Sequence, residues 1–288
     1  MRKKLWPVLL LLGILILPGC KPASQSNPVL DAEEHTGKIK AFVSILPQAY
    51  FVECIGGDKV DVSVMIPPGA NPENYEISPA QLKELSTADV YIMSGKLPSE
   101  EIWLPRLIAA NKKMLVLDSS QSIDFDEHNP HIWLSPRLVK KQAANIAETL
   151  IQLDPDNKAF YSRNLEQLLL ALDELDKEIE EILSGVKQKS FIVYHPAWGY
   201  FARDYGLEEI AIEEHGKEPG ARELARLVEE ARAKKINEVF ASPQHSSRSA
   251  EVFAQEIGGK VVFLDPLPRN YISDMQAAAK TLADALSD

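Results

Sequence analysis

Cysteine is nearly missing from this chain. The 288 residues hold two, Cys20 and Cys54, too few for a disulfide scaffold, a cysteine-based zinc finger or an iron–sulfur ligand set. Positive charge is scarce as well. Against 42 Asp and Glu stand 31 Lys and Arg, a formal charge of −11, and without clustered basic residues there is no electrostatic footprint for nucleic acid as a partner. An apolar run of the roughly 20 residues that span a bilayer is also lacking; the longest, Leu5 to Leu17, has 13. What remains is 45% apolar and 25% charged with 14 Gly and 19 Pro, a composition neither disordered nor fibrous, enough for one or two compact domains.

Arg2, Lys3 and Lys4 precede the apolar run, as the charged and hydrophobic regions of a secretory signal do. The run ends in Leu17-Pro18-Gly19-Cys20, which resembles the bacterial lipobox, whose Cys is lipidated and becomes the first mature residue. The expectation is a signal peptide over 1–19, then lipidated Cys20 and a flexible tether over 20–37, polar, aperiodic and carrying His35 as a solvated bystander. An exported, membrane-anchored chain follows. Loss of the leader leaves 28 cations against 42 anions, a formal charge of −14.

From residue 39, short β-rich runs alternate with helical patterns: 39–45, 60–66, 89–93 and 114–118, then 191–195, 210–214, 238–242 and 261–265. That alternation is the mark of βαβ units around parallel sheets. Ser78-Pro79, Ser135-Pro136 and Asp154-Pro155 each put a capping residue before Pro at the first helical position, with Gln81 completing a capping box in the first. From the third start, Phe160, Leu165, Leu168, Leu172, Leu175, Ile179 and Leu183 recur at helical spacing until Gly185. Its seam is too short for a coiled-coil arm. The expected architecture is α/β: two similar lobes, each a mostly parallel four-stranded sheet flanked by helices, joined by one long rigid helix with a ligand cleft between them. The boundaries fall at 38–154 for the N-terminal lobe, 155–185 for the helix and 186–288 for the C-terminal lobe.

Ligands of such sheets bind beyond the carboxyl ends of the strands, and four candidates fall there. Glu73 lies in the loop after the second strand, His131 before the helix capped by Ser135, His195 at the end of the fifth strand, and Asp265 at the end of the eighth. Each alone has a bland alternative: a satisfied strand-end His, a solvated turn carboxylate, or an Asp capping the turn before Pro266.

Together, Asn71-Pro72-Glu73-Asn74-Tyr75-Glu76, Asn129-Pro130-His131-Ile132-Trp133-Leu134-Ser135-Pro136, Tyr194-His195-Pro196-Ala197-Trp198 and Leu264-Asp265-Pro266-Leu267 resemble the zinc/manganese-binding lipoproteins of bacterial ABC metal importers. The likeness runs from about residue 38 to the C-terminus, with Glu218-Pro219 and Ser242-Pro243-Gln244 as weaker echoes. It implies one metal held by Glu73 and His131 from the first lobe and His195 and Asp265 from the second, and delivery to a membrane ABC permease by a monomeric, non-enzymatic carrier. His at position 195 is the zinc-type choice. Glu73 stands where the family usually has His, and a set with two carboxylates also suits Mn²⁺ or Fe²⁺. The His-rich loop of many zinc-type relatives is reduced to Asp124-Phe125-Asp126-Glu127-His128, and Asn129 replaces a common Asp.

His128 reads as a solvated loop residue, His215 and His245 as possible substitutes for Glu73, Trp133 and Trp198 as a wall around the site, and Cys54 as inert packing on a helix. Competing functions are an exported metallohydrolase, against which stands the lack of any HExxH or GxSxG signature, a surface adhesin, and a binder of metal chelates, which needs a wider cleft.

Overall fold

The computed structural model describes residues 37–124, 129–213 and 216–287. The expected signal peptide, Cys20, all but the last residue of the tether, His128 and His215 lie outside them. Strands β1 (Ile39–Val43), β2 (Val60–Val64), β3 (Val90–Met93) and β4 (Leu115–Asp118) form one sheet in the order β2-β1-β3-β4; β5 (Ser190–Val193), β6 (Glu208–Ala211), β7 (Glu238–Ala241) and β8 (Lys260–Phe263) form a second in the order β6-β5-β7-β8. Every pair is parallel. The two lobes therefore repeat one topology, with the winding direction reversing at β1 and at β5.

Helices α1 (Leu46–Gly56), α2 (Pro79–Leu85), α3 (Pro98–Ala110) and α4 (Pro136–Leu153) belong to the first half; α6 (Gly199–Asp204), α7 (Ala221–Ala233), α8 (Arg248–Ile257) and α9 (Tyr271–Leu286) to the second. The long helix α5 (Lys158–Ser184) joins them with 27 residues. Ser78 caps α2 through the expected box with Gln81, and the Ser135 hydroxyl accepts the Leu138 N–H at the start of α4. Asp154-Pro155 departs from expectation. It opens a 3-10 turn, Pro155–Asn157, and α5 begins only at Lys158. The Asp154 carboxylate is turned to the Asn157 amide and the Tyr161 hydroxyl, both at 2.7 Å, instead of to backbone N–H groups. Among the described residues no helix is long and apolar enough to cross a membrane.

The period-2 alternation of the second sheet divides its core in two. Phe191, Val193 and Phe240 point into the large core that also takes in β1, β3, α1, α4, α5 and α9. Ile192, Tyr194, Val239 and Ala241 point the other way, into a smaller core with α7 and α8. Helix α5 lies inside the larger core: Leu168, Leu172, Leu175, Ile179 and Leu183 are buried along one face, packed on α1, α4 and α9. Cys54 is a free, half-buried thiol on α1 beside Tyr50. Burial pushes it up from its ordinary pKa, so the thiol is kept protonated and unreactive.

Candidate metal centre

One device delivers both donors of the first lobe. Glu73 and His131 each follow an Asn-Pro pair, and the Oδ1 of that Asn accepts the backbone N–H of the donor residue, 2.9 Å from Asn71 to Glu73 and 3.1 Å from Asn129 to His131. This is an Asx turn with φ of its middle residue held by Pro. Ser99 donates to Pro72 O (2.6 Å) and the Trp103 indole to Tyr75 O (3.1 Å), which pins the Glu73 loop onto α3. Asn129 does more than shape its turn. Its Oδ1 also accepts from His131 Nδ1 at 2.9 Å, which fixes that proton on Nδ1 and leaves Nε2 with a free lone pair.

In the second lobe the polar residues stand directly beyond strand ends. His195 follows β5, Glu213 follows β6, His245 follows β7 and Asp265 follows β8. Because β6 and β7 flank β5, Glu213 and His245 arrive on either side of His195. Strand β8 is two strand spacings from β5, roughly 10 Å, and Asp265 is correspondingly left out of the cluster.

The groups that meet are Glu73, His131 and His195, half-buried, buried and buried, with ligand atoms all within 4.8 Å of one another. His195 Nε2 is 3.4 Å from Glu73 Oε1 and 3.4 Å from His131 Nε2. That separation is the edge of a tetrahedron with arms of about 2.1 Å, the usual length of bonds from Zn²⁺ to N and O. Behind His195, Nδ1 faces Glu213 Oε1 at 3.4 Å. The Asp265 side chain is exposed; its Oδ1 accepts from Gln244 Nε2 (2.8 Å) and from the Leu267 N–H (2.9 Å).

The cavity is lined by Asn71, Glu73, His131, Trp133, His195 and His245, among others, and encloses about 10 Å³, space for one water or one bare ion. Gln244 also lines it, and its Oε1 is buried without a hydrogen-bond partner. Trp133 forms the expected wall, its ring centroid 5.1 Å from that of His131, and its indole donates to Pro266 O across the cleft at 2.7 Å. Trp198 does not line the cavity; it packs edge-on against Phe201. The Gly199 backbone passes so close to the other lobe that a Cβ there would lie 2.9 Å from Asn129 Nδ2.

Electrostatics favour a cation. Burial, reinforced by His195 and His245, holds His131 well below the ordinary imidazole pKa, so its ring is neutral and its lone pair available. Burial likewise lowers His245. For Glu213, burial pushes upward, but the hydrogen bond and charge of His195 outweigh it and keep the carboxyl ionised.

Sequence reasoning missed Glu213 and placed His245 only as a substitute for Glu73, whereas both stand beside His195, and His245 also lines the cavity. The strand order of a doubly wound sheet was the signal available, since it sets the residues after β6 and β7 beside the one after β5.

A family model described as "Zinc-uptake complex component A periplasmic" matches residues 42–285. The chain is similar to the high-affinity zinc uptake system protein ZnuA of Bacillus subtilis, 28% identical over 285 aligned residues and covering 88% of both chains. It is 30% identical to the zinc-binding lipoprotein AdcA of Streptococcus pneumoniae over 97% of its own length, and spans 60% of the length of AdcA. Among solved structures, a crystal structure of ZnuA superposes with a TM-score of 0.84 at 45% identity, covering 87% of this chain and 100% of that one. The Zn(II)-bound ZnuA-like domain of S. pneumoniae AdcA gives 0.74 at 30%, over 88% and 100%.

Proposed function

The chain belongs to the family of periplasmic zinc-uptake components, and on that premise we propose that it captures Zn²⁺ outside the cytoplasm in the interlobe cleft and hands it to a membrane ABC permease. One observation carries this reading: Glu73, His131 and His195 converge from two lobes, their ligand atoms within 4.8 Å of one another, on a small cavity.

Two imidazoles and one carboxylate are a donor set suited to zinc, and the nitrogen majority argues against Mn²⁺ or Fe²⁺. The fourth position falls to a water, for which the orphaned Gln244 Oε1 is a ready acceptor; Asp265 acts one step further out by holding the Gln244 amide. A cavity of about 10 Å³ suits a bare ion better than a chelate or an organic substrate, which supports a carrier over a hydrolase. A lipid on Cys20 and the tether that follows would hold a monomer near the permease.

Thermal unfolding of the chelator-stripped mature chain, with Zn²⁺ and Mn²⁺ added separately at matched free concentration, tests the reading. A ligand at about 1,000 times its Kd adds about 4 kcal/mol. A rise in Tm with zinc well above that with manganese is expected; equal rises would transfer the assignment to a broader metal carrier, and no rise would remove the site.

A further inference from the structure

A second set of donors with the same composition lies back to back with the first. His195, Glu213 and His245 bring their ligand atoms within 4.8 Å of one another, again two imidazoles and one carboxylate, and the two sets share His195. Its ring has a carboxylate on each side, Glu73 Oε1 at 3.4 Å from Nε2 and Glu213 Oε1 at 3.4 Å from Nδ1. The His245 ring is stacked on it with centroids 4.4 Å apart and planes 21° apart. His245 is itself tied to both lobes: the Asn71 amide donates to its Nε2 at 3.1 Å, and its Nδ1 meets Ser242 Oγ at 2.7 Å.

Resting on the zinc-carrier reading, we propose that the cleft offers the ion a second position, formed by His195 Nδ1, Glu213 and His245, and that one ion occupies the two positions alternately. A neutral imidazole carries one proton, so it serves one position at a time. With the ion on Nε2, the Nδ1–H points to Glu213; with the ion on Nδ1, the Nε2–H points to Glu73. Movement between them carries the ring proton from Nδ1 to Nε2 through water, with no net proton gained or lost. The first position draws on both lobes. The second draws on the C-terminal lobe alone, and His245 must give up one of its two hydrogen bonds to join it. An ion there is bound by a single lobe and no longer ties the cleft shut, which makes the second position a place of arrival and departure.

Cobalt titration of the chelator-stripped mature chain tests this, because Co²⁺ reports its ligand geometry in the visible spectrum. The parent should bind one ion per chain. Glu73→Gln/His131→Ala should still saturate at one ion, roughly a hundredfold more weakly, with an altered spectrum, and adding His245→Ala should abolish that residual binding. No saturable binding in the double variant, residual binding indifferent to His245→Ala, or two ions in the parent would each overturn the proposal. A parent that binds no metal would instead overturn the carrier reading. Where the double variant does not fold, His131→Gln takes its place. Nitrogen-15 spectra of the zinc-loaded histidine rings give an independent readout: the His195 proton should sit on Nδ1 in the parent and on Nε2 in the variant, and the same nitrogen in both would refute the exchange.

Discussion

The two lobes repeat one strand order yet present their candidate metal-site groups in opposite ways. In the first, Glu73 and His131 are carried on long loops after β2 and β4, each held by an Asn two residues upstream. In the second, His195, Glu213 and His245 sit within four residues of a strand end, and the sheet itself sets their spacing. The same fold can thus offer donors through local turn chemistry or through strand order. Turn chemistry can be reshaped one residue at a time, whereas spacing set by a sheet changes only if the strands do.

The contrast yields four expectations, from largest to smallest. His195→Ala removes the donor common to both sets and should raise the zinc Kd by more than about a hundredfold with the far-ultraviolet circular dichroism unchanged; near-parental affinity by calorimetry would remove His195 from the site. Asn129→Ala strips His131 of both its turn and its Nδ1 partner and should cost about tenfold to a hundredfold in affinity. A smaller loss there than in Glu213→Gln would reverse the lesson that the first lobe depends on its Asn turns.

The third concerns pH. Glu209 accepts the Ala197 and Trp198 N–H groups beneath the His195 turn, at 3.0 and 2.8 Å, and burial pushes its carboxyl up to about 7 despite them. A carboxyl with a raised folded pKa contributes stability that is complete below its ordinary value near 4.5 and is lost as pH climbs toward 7. Glu209→Gln should therefore gain Tm relative to the parent across that window in the metal-free protein, and parallel profiles would show that another group titrates. Smallest is Asp265→Asn. Asn keeps an acceptor for Gln244 and for the Leu267 N–H, so the zinc Kd should stay within about threefold; a loss beyond a hundredfold would make Asp265 a direct ligand.

The β-rich runs give away all eight strands to within two residues at their starts; the central strands β1, β3, β5 and β7 are largely buried and written as short apolar stretches, and the half-exposed edge strands keep enough of that pattern to be read. Ser78 and Ser135 were legible as caps for the same local reason. Asp154 was not, since its carboxylate is engaged by Tyr161 seven residues ahead, a contact that exists only once α5 has formed. That Glu73, His131 and His195 meet was legible through their motifs. Glu213 carries no motif; its place beside His195 comes from the lateral order of strands, and the separation of Asp265 from the cluster comes from that order too. The role of Asn129 was half legible, as a turn former, while its grip on the His131 ring needed the rotamer.

The division of the second sheet between two cores has a consequence for folding cooperativity. Its inner face, α5 and most of the first lobe share one continuous apolar cluster, so these parts should melt in a single transition and protect their amides from hydrogen exchange to the same depth. The outer layer of α7 and α8 rests on a small cluster of its own and is free to open in a sub-global step. Strands β6 and β7 run beneath that layer and lead into Glu213 and His245. Breathing of this one layer would loosen the end of the C-terminal lobe that carries Glu213 and His245 while Glu73 and His131 stayed locked in the global unit.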